Sequence, residues 1–546
     1  HAASPLLCEG SSESPMAATN KEFRKRSARP PRVVWLPALV VALAMLMPLA
    51  YLVIRSLDSG WVEFFETVLD GGTLAVLANS IVLAAIVTSA AVAIAVPLAW
   101  LTARTDLPGR KTWAILAALP LVIPSYVGGF VLVSTLGPRG SLQGALEPLG
   151  VERLPEIYGL PGAAFALVLF TYPYVFLTTR AALRGLDPAL EYASRSLGRG
   201  SWPTFFSVTL PQLRPAIVAG ALLVALYTLA DFGVVSLLQY DSFSRAIYLQ
   251  YRSAFDRTPA AILALMLVAL TAVILIIEAR TRGRARYFQT SGAVRTPRPT
   301  PLGKWKIPAL AFCGGIVSLG LFIPAGILVF WLVRGVSSGE PLRIVWGAAW
   351  SSVSVSAMAA AAAALAALPV AILAVRFPGR ASGLVERLTY VGYALPGIVL
   401  ALALVFFGAN YAPWAYQTTG ILVLAYVIHF LPQAVGATRS ALLQIRPSVE
   451  EAAQSLGRSP LNVIATITAP LAQRGIFAGA ALVFLTTMKE LPATLLLSPI
   501  GFTTLATSVW NATSEAFFAR AAAPALLLII VSAVPMYFLV IREREK

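Results

Sequence analysis

Two acids stand where an apolar chain tolerates them least. Asp231 interrupts "LYTLADFGVV", and Glu490 interrupts "LTTMKELPATLL" beside Lys489. A charged side chain inside a membrane costs ~2.5–3.5 kcal/mol on insertion scales, so such groups face a bundle interior or a water-filled path and find partners there. Moving the second segment back by 259 positions lays Glu490 on Asp231. Two readings stay open. Either the acids flank a central pathway, contacting a cation or holding a gate, or they are structural, with Lys489 partnering Asp231. His429 sits alone in another apolar run; a hydrogen-bonded packing role is its ordinary use, and a place on the same path is the alternative. Other chemistry is missing from the sequence. "GRKTW" at 109–113 lacks the glycine-rich approach of G-x-x-x-x-G-K-[ST], so the sequence has no phosphate cradle for ATP. It has no H-E-x-x-H, no Cys/His cluster and no convergent nucleophile and base, which argues against a membrane enzyme. Cys8 and Cys313 are too few and too distant to frame a fold.

The elements that must position these groups follow from composition. Charged residues make up 12% of the chain and hydrophobic ones 58%, against ~25% charged in a soluble domain. The formal charge of +17 lies between apolar runs, so nucleic acid is not the expected partner; a lipid bilayer is. A crossing needs ~20 apolar residues. Twelve runs qualify: 33–54, 75–101, 113–136, 162–179, 216–239, 259–277, 307–333, 347–374, 388–408, 417–437, 476–498 and 521–541. With the N-terminus cytoplasmic, the inner segments hold 32 of the 42 Lys and Arg residues and the outer segments eight. That bias sets the expected orientation, with both termini in the cytoplasm of a multi-pass plasma-membrane protein. Residues before Met16 read as an appended or upstream-translated leader, outside the fold.

The chain repeats itself. "EYASRSLGRGSWPTFFSVTLP" (191–211) returns as "EEAAQSLGRSPLNVIATITAP" (450–470), superposing Glu191 on Glu450, Gly198 on Gly457, Arg199 on Arg458 and Pro211 on Pro470. Further upstream the offset becomes 272, matching Pro124 with Pro396 and Arg104 with Arg376. Two parallel six-span units follow. The expected division is a leader and tail over 1–32, a first unit over 33–280 (core about 74–280), a basic cytoplasmic linker over 281–306, and a second unit over 307–546 (core about 347–541). Both copies of the polar phrase fall in cytoplasmic loops, after the fourth and tenth runs. Each reads as two short helices bent at a glycine and stopped by a proline. Small residues (Ala193 and Ser194; Ala452 and Ala453) supply a flat face, and a carboxylate and an arginine at its edges are expected to orient docking.

The pattern E-A-A-x3-G-x9-I-x-L-P resembles the EAA signature of permease subunits of binding-protein-dependent ABC importers. Glu451, Ala452, Ala453, Gly457, Ile467 and Pro470 fit it; Ala469 replaces the leucine. In the first copy Tyr192 takes the signature glutamate's place and Glu191 lies one residue earlier, while Ala193, Gly198, Val208, Leu210 and Pro211 agree. The resemblance spans roughly 74–541. It implies an all-α polytopic fold of about twelve transmembrane helices, arranged as two tandem type I permease units in parallel orientation. It also implies coupling loops that dock on two copies of an ATP-binding subunit, a substrate-binding protein on the outer face, and transport by alternating access. ATP and Mg would be used by the partner, with no cofactor bound by this chain. "LPLVIPSYV" (119–127), "YALPGIVLALAL" (393–404) and "KELPATLLLSPIGFTTLAT" (489–507) resemble the iron(III) permeases most. A thiamine or other small-solute importer is the alternative, and an ion-coupled secondary transporter a more distant one. Bare Fe³⁺ would want hard oxygen or phenolate ligands. Tyr126 is one candidate, but no cluster is visible, so the metal-ligand set is unknown and high-affinity capture is expected of the soluble receptor.

Overall fold

The computed structural model describes residues 30–58, 60–138, 140–151, 153–187, 189–253, 258–281, 299–339 and 343–542. Among them the chain is helical, and the sole β-type pairing is an isolated bridge between Thr105 and Thr300. The leader, most of the linker, Pro188 and two outer-loop arginines, Arg139 and Arg257, lie outside the described residues.

Among the described residues nine helices are long and apolar enough to cross a bilayer, from Arg32–Leu57 to Pro460–Met488. A tenth crossing is broken, Arg110–Val122 and Ser125–Gly144 meeting at 90°. Two shorter apolar helices, Gly397–Tyr411 and Phe518–Ala533, fall where the ninth and twelfth runs were expected. The fold is the all-α, multi-pass one expected.

The departures have local causes. The third run breaks because Pro124 pushes Ile123 out of helical space, to φ −77° and ψ 119°. The second unit repeats the break: Leu395 stands at φ −85° and ψ 123° ahead of Pro396, and helix resumes at Gly397. The fifth and eleventh spans begin earlier than expected, at Trp202 and Pro460, and end at Ala230 and Met488. Pro211 and Pro470 therefore do not stop a helix. In each copy a π turn, Phe205–Thr209 or Ile464–Thr468, runs straight into the next α-helix with the proline in its first turn. A proline lacks only an N–H that the first turn would leave unpaired anyway, and the wider π turn makes room for its ring. The seventh span uses the same device, a π turn at Ser318–Phe322 ahead of Pro324.

Packing cuts across the sequence division. Val34, Ala38, Ala42 and Met45 form a stripe on the first span, and their cluster is built from second-unit residues such as Ala363, Ala367 and Tyr426. Conversely Ala309, Cys313 and Val317 on the seventh span join a cluster of first-unit residues that includes Val87, Ala91 and Tyr172. Each unit thus sends its first helix to the other. Apolar side chains gain little from leaving lipid, so such association depends on close backbone approach at small residues, and small residues at four-residue spacing supply it on both helices. A shared core completes the bundle, joining Phe130 and Phe232 to Met488, Leu491 and Trp510.

The end of the linker is tied down. Thr300 donates to the Arg104 carbonyl at 2.8 Å and accepts from the Asp106 amide at 3.1 Å. The Asp106 carboxylate accepts from Leu302 N at 2.8 Å and pairs with Lys306 at 2.9 Å.

Candidate coupling turns and central cavity

The two copies of the polar phrase fold alike. A short helix, Ala189–Ser196 or Pro447–Ser455, ends in a glycine at φ +85° (Gly198) or +84° (Gly457). Non-glycine residues reach that region only at a cost. The next arginine turns back over the π turn: Arg199 Nη1 donates to Ser207 Oγ at 3.2 Å, and Arg458 Nη1 to Thr466 Oγ1 at 2.9 Å. The arginines expected to orient docking are thus engaged within the chain.

So are the carboxylates. Glu450 pairs with Arg376 at 2.9 Å and accepts from Thr468 Oγ1 at 3.0 Å. Glu191 lies 3.8 Å from Arg104 and accepts from Thr209 Oγ1 at 3.0 Å. Arg104 and Arg376 close the second and eighth spans, and each also donates at 3.2 Å to the carbonyl just before its turn, Leu186 or Ile445. Glu191 and Glu450 are therefore equivalent anchors, facing inward. The signature position beside them is exposed in both copies, as Tyr192 and as Glu451. Of the small residues, Ser194 and Ala453 are buried, while Ala193 and Ala452 face outward. Large apolar side chains are also left uncovered at matched places, Leu197 at 83% and Leu456 at 85%. Large exposed apolar side chains at matched positions are a feature of interaction surfaces.

From each π turn a helix of 21 residues (Leu210–Ala230) or 20 residues (Ala469–Met488) runs to the acids, a rod of ~30 Å at 1.5 Å per residue. Asp231 ends the first rod and caps the next short helix: its Oδ2 accepts from the amides of Val234 at 2.9 Å and Val235 at 3.4 Å, and its Oδ1 takes the Ser125 hydroxyl. Glu490 does the same, accepting from Ala493 N at 3.0 Å and Thr494 N at 3.4 Å. Lys489 does not partner Asp231. Its Nζ donates to the Leu121 carbonyl at 3.1 Å, crossing from the second unit to the broken third span of the first.

Asp231, Glu490, Lys489, Tyr126 and His429 all line one cavity of about 250 Å³, together with the break prolines Pro124 and Pro396. The pathway candidates read from sequence are thereby brought together, with residues of both units in the wall. The Tyr126 hydroxyl and His429 Nδ1 are buried without a hydrogen-bond partner. Reading the sequence missed Ser125 as the Asp231 partner, and missed Tyr174, Tyr227, Gln433 and Thr486 as lining groups. The repeat offset could have found the last four: Tyr174 and Tyr227, with ring centroids 5.9 Å apart, match Gln433 and Thr486, which are 3.3 Å apart. Among the described residues no three His, Cys, Asp or Glu side chains gather as a metal site.

Twin turns, a rod from each, and one cavity walled by both units define a two-unit transport permease. The chain belongs to the family described as binding-protein-dependent transport system inner membrane component, which matches residues 95–287 and again 363–545. It is 33% identical to the Fe(3+)-transport system permease protein FbpB 2 of Haemophilus influenzae over 94% of this chain and 98% of that protein. The ferric transport system permease protein FbpB of Actinobacillus pleuropneumoniae is 25% identical, over 86% of this chain and 71% of its own length. The molybdenum transport system permease protein ModB of Escherichia coli is 30% identical over 91% of itself but 37% of this chain, as expected of a relative aligned with one unit.

Proposed function

We propose that this chain is the fused permease of an ATP-driven importer of ferric iron, with iron handed over by a binding protein on the outer face. Two ATP-binding subunits dock on the Gly198 and Gly457 turns, hydrolyse ATP with Mg, and work on a permease that has no nucleotide site of its own. Both termini and both turns face the cytoplasm, in keeping with the Lys and Arg bias. The observation that carries the coupling is the repeated anchor: Arg104–Glu191–Thr209 and Arg376–Glu450–Thr468 fasten each exposed turn to the foot of one span and the start of a rod. A push on the turn therefore moves the rod, and the rod ends at the cavity. Alternating access follows when the two rods rock about that shared wall. The iron assignment draws on the end-to-end likeness to the Haemophilus permease.

The test is to co-purify the chain with its ATPase subunits, reconstitute it, and measure ATP turnover as ferric iron and the binding protein are added. Iron-dependent stimulation supports the reading. Failure of any ATPase to associate overturns it.

A further inference from the structure

The cavity wall has an unexpected charge character. Its two acids are already engaged. Both oxygens of Asp231 accept hydrogen bonds, from Ser125 and from the backbone of the short helix it caps. Both oxygens of Glu490 likewise accept from the amide of Ala493. Backbone N–H groups directed at a carboxylate help to satisfy it, so a passing cation would have to compete with these bonds for either acid.

Beside them the wall carries one unpartnered ring nitrogen, His429 Nδ1, and a set of donors. Lys489 spends one of its three N–H groups on the Leu121 carbonyl and lines the cavity with the others. The buried Tyr126 hydroxyl has no partner. Gln433 accepts from Thr486 through Oε1, which leaves its N–H groups to the cavity. The position matching Lys489 in the first unit is Ala230, so the ammonium occurs once and is not a device of the repeat. A naked trivalent cation entering here would meet the Lys489 ammonium in a poorly screened space, beside two carboxylates whose oxygens are already hydrogen-bonded. An anionic oxygen would meet three donors.

We propose that the species crossing this cavity presents anionic oxygens: Fe³⁺ travels with an oxyanion or carboxylate bound to it, and Lys489 is the residue that meets that anion. This rests on the iron reading above, and its test separates the two. The chain is reconstituted with its ATPase subunits and binding protein in proteoliposomes. Radiolabelled ferric iron is offered in separate arms with radiolabelled phosphate, bicarbonate or citrate, which tells the possible anion sources apart. The expected result is ATP-dependent entry of one labelled anion together with iron in a fixed ratio. Lys489→Met lowers both by about tenfold, as loss of one charge-assisted contact would, and Lys489→Arg restores most of the entry. The wild-type measurement needs no variant, so a misassembled Lys489→Met protein cannot hide the answer. Iron entering with no labelled anion in any arm overturns the proposal, as does Lys489→Met carrying both labels at the wild-type rate. Entry of a labelled oxyanion without iron upholds the cavity assignment and overturns the iron reading instead.

Discussion

Gly397 lies directly against Glu490: a Cβ built on the glycine would stand 2.6 Å from Glu490 Oε1. The matching position in the first unit is Ser125, whose hydroxyl bonds the shorter Asp231. The two units thus solve one packing problem in two ways, a serine with a short acid and a glycine with a long one.

That relationship makes a compensation test. Gly397→Ser alone should overpack the site and destabilise the protein by about 1–3 kcal/mol. Adding Glu490→Asp should recover most of the loss, since the removed methylene vacates the room the serine needs. Thermal unfolding of the two single variants and the double variant in nanodiscs checks this, and simple additivity of the two single effects would contradict it.

The capping role of the acids predicts a split between amide and alanine substitutions. Asp231→Asn keeps a side-chain oxygen for Val234 N, and Asn caps as well as Asp. Asp231→Asn and Glu490→Gln should therefore assemble normally and retain uptake within about threefold, with the charge lost but the cap kept. Asp231→Ala strands buried amides, and a loss of about 1–3 kcal/mol is expected. Uptake assays beside unfolding curves distinguish the outcomes; abolished uptake in a well-assembled Asp231→Asn protein would return the acid to the pathway.

At the Gly457 turn the limit is backbone conformation and not space. Nothing lies within 4 Å of a Cβ built on Gly457, yet its φ is +84°. Gly457→Ala should cost about 1–2 kcal/mol in the turn and weaken ATPase binding by about tenfold. Gly457→Asn should fall between, because Asn tolerates the left-handed region. Affinity of the ATPase subunit for each variant gives the order, and Ala binding as well as glycine would refute it.

The clasp on the linker should respond to acid. The hydrogen bond from Lys306, aided by the Leu302 amide, holds the Asp106 carboxyl below its ordinary value. A carboxylate with a depressed folded-state value contributes stability at pH above its unfolded value and loses it as the pH falls through the folded one. Hydrogen exchange at the Leu302 amide should be slow at neutral pH and should accelerate only below the usual carboxylate range. Asp106→Asn should flatten that dependence.

Much of the site was legible because it is written twice. The shared offset placed Asp231 opposite Glu490 and Glu191 opposite Glu450, and the upstream offset placed Arg104 opposite Arg376. That Arg376 and Glu450 are partners was not legible, because each match fixes a residue against its copy and not against its neighbour in space. The breaks at Pro124 and Pro396 were marked by the prolines, but hydropathy alone carries an apolar run straight across a bend. The pairing of Lys489 with Asp231 failed for a geometric reason: a carbonyl at the broken third span lay within reach, and the aspartate was already taken. The neighbours of the first span were illegible, since a helix that is apolar all round does not say which face meets protein and which meets lipid.

The exchanged first helices bear on what holds the molecule together. With Ala38 and Ala42 lodged in the second unit and Ala309 and Cys313 lodged in the first, the halves are hooked through one another like links. Cutting the connecting segment should not free them. Two fragments made as separate chains should find each other in the bilayer and stay together through purification, because each would still hold a piece of the other in its grip.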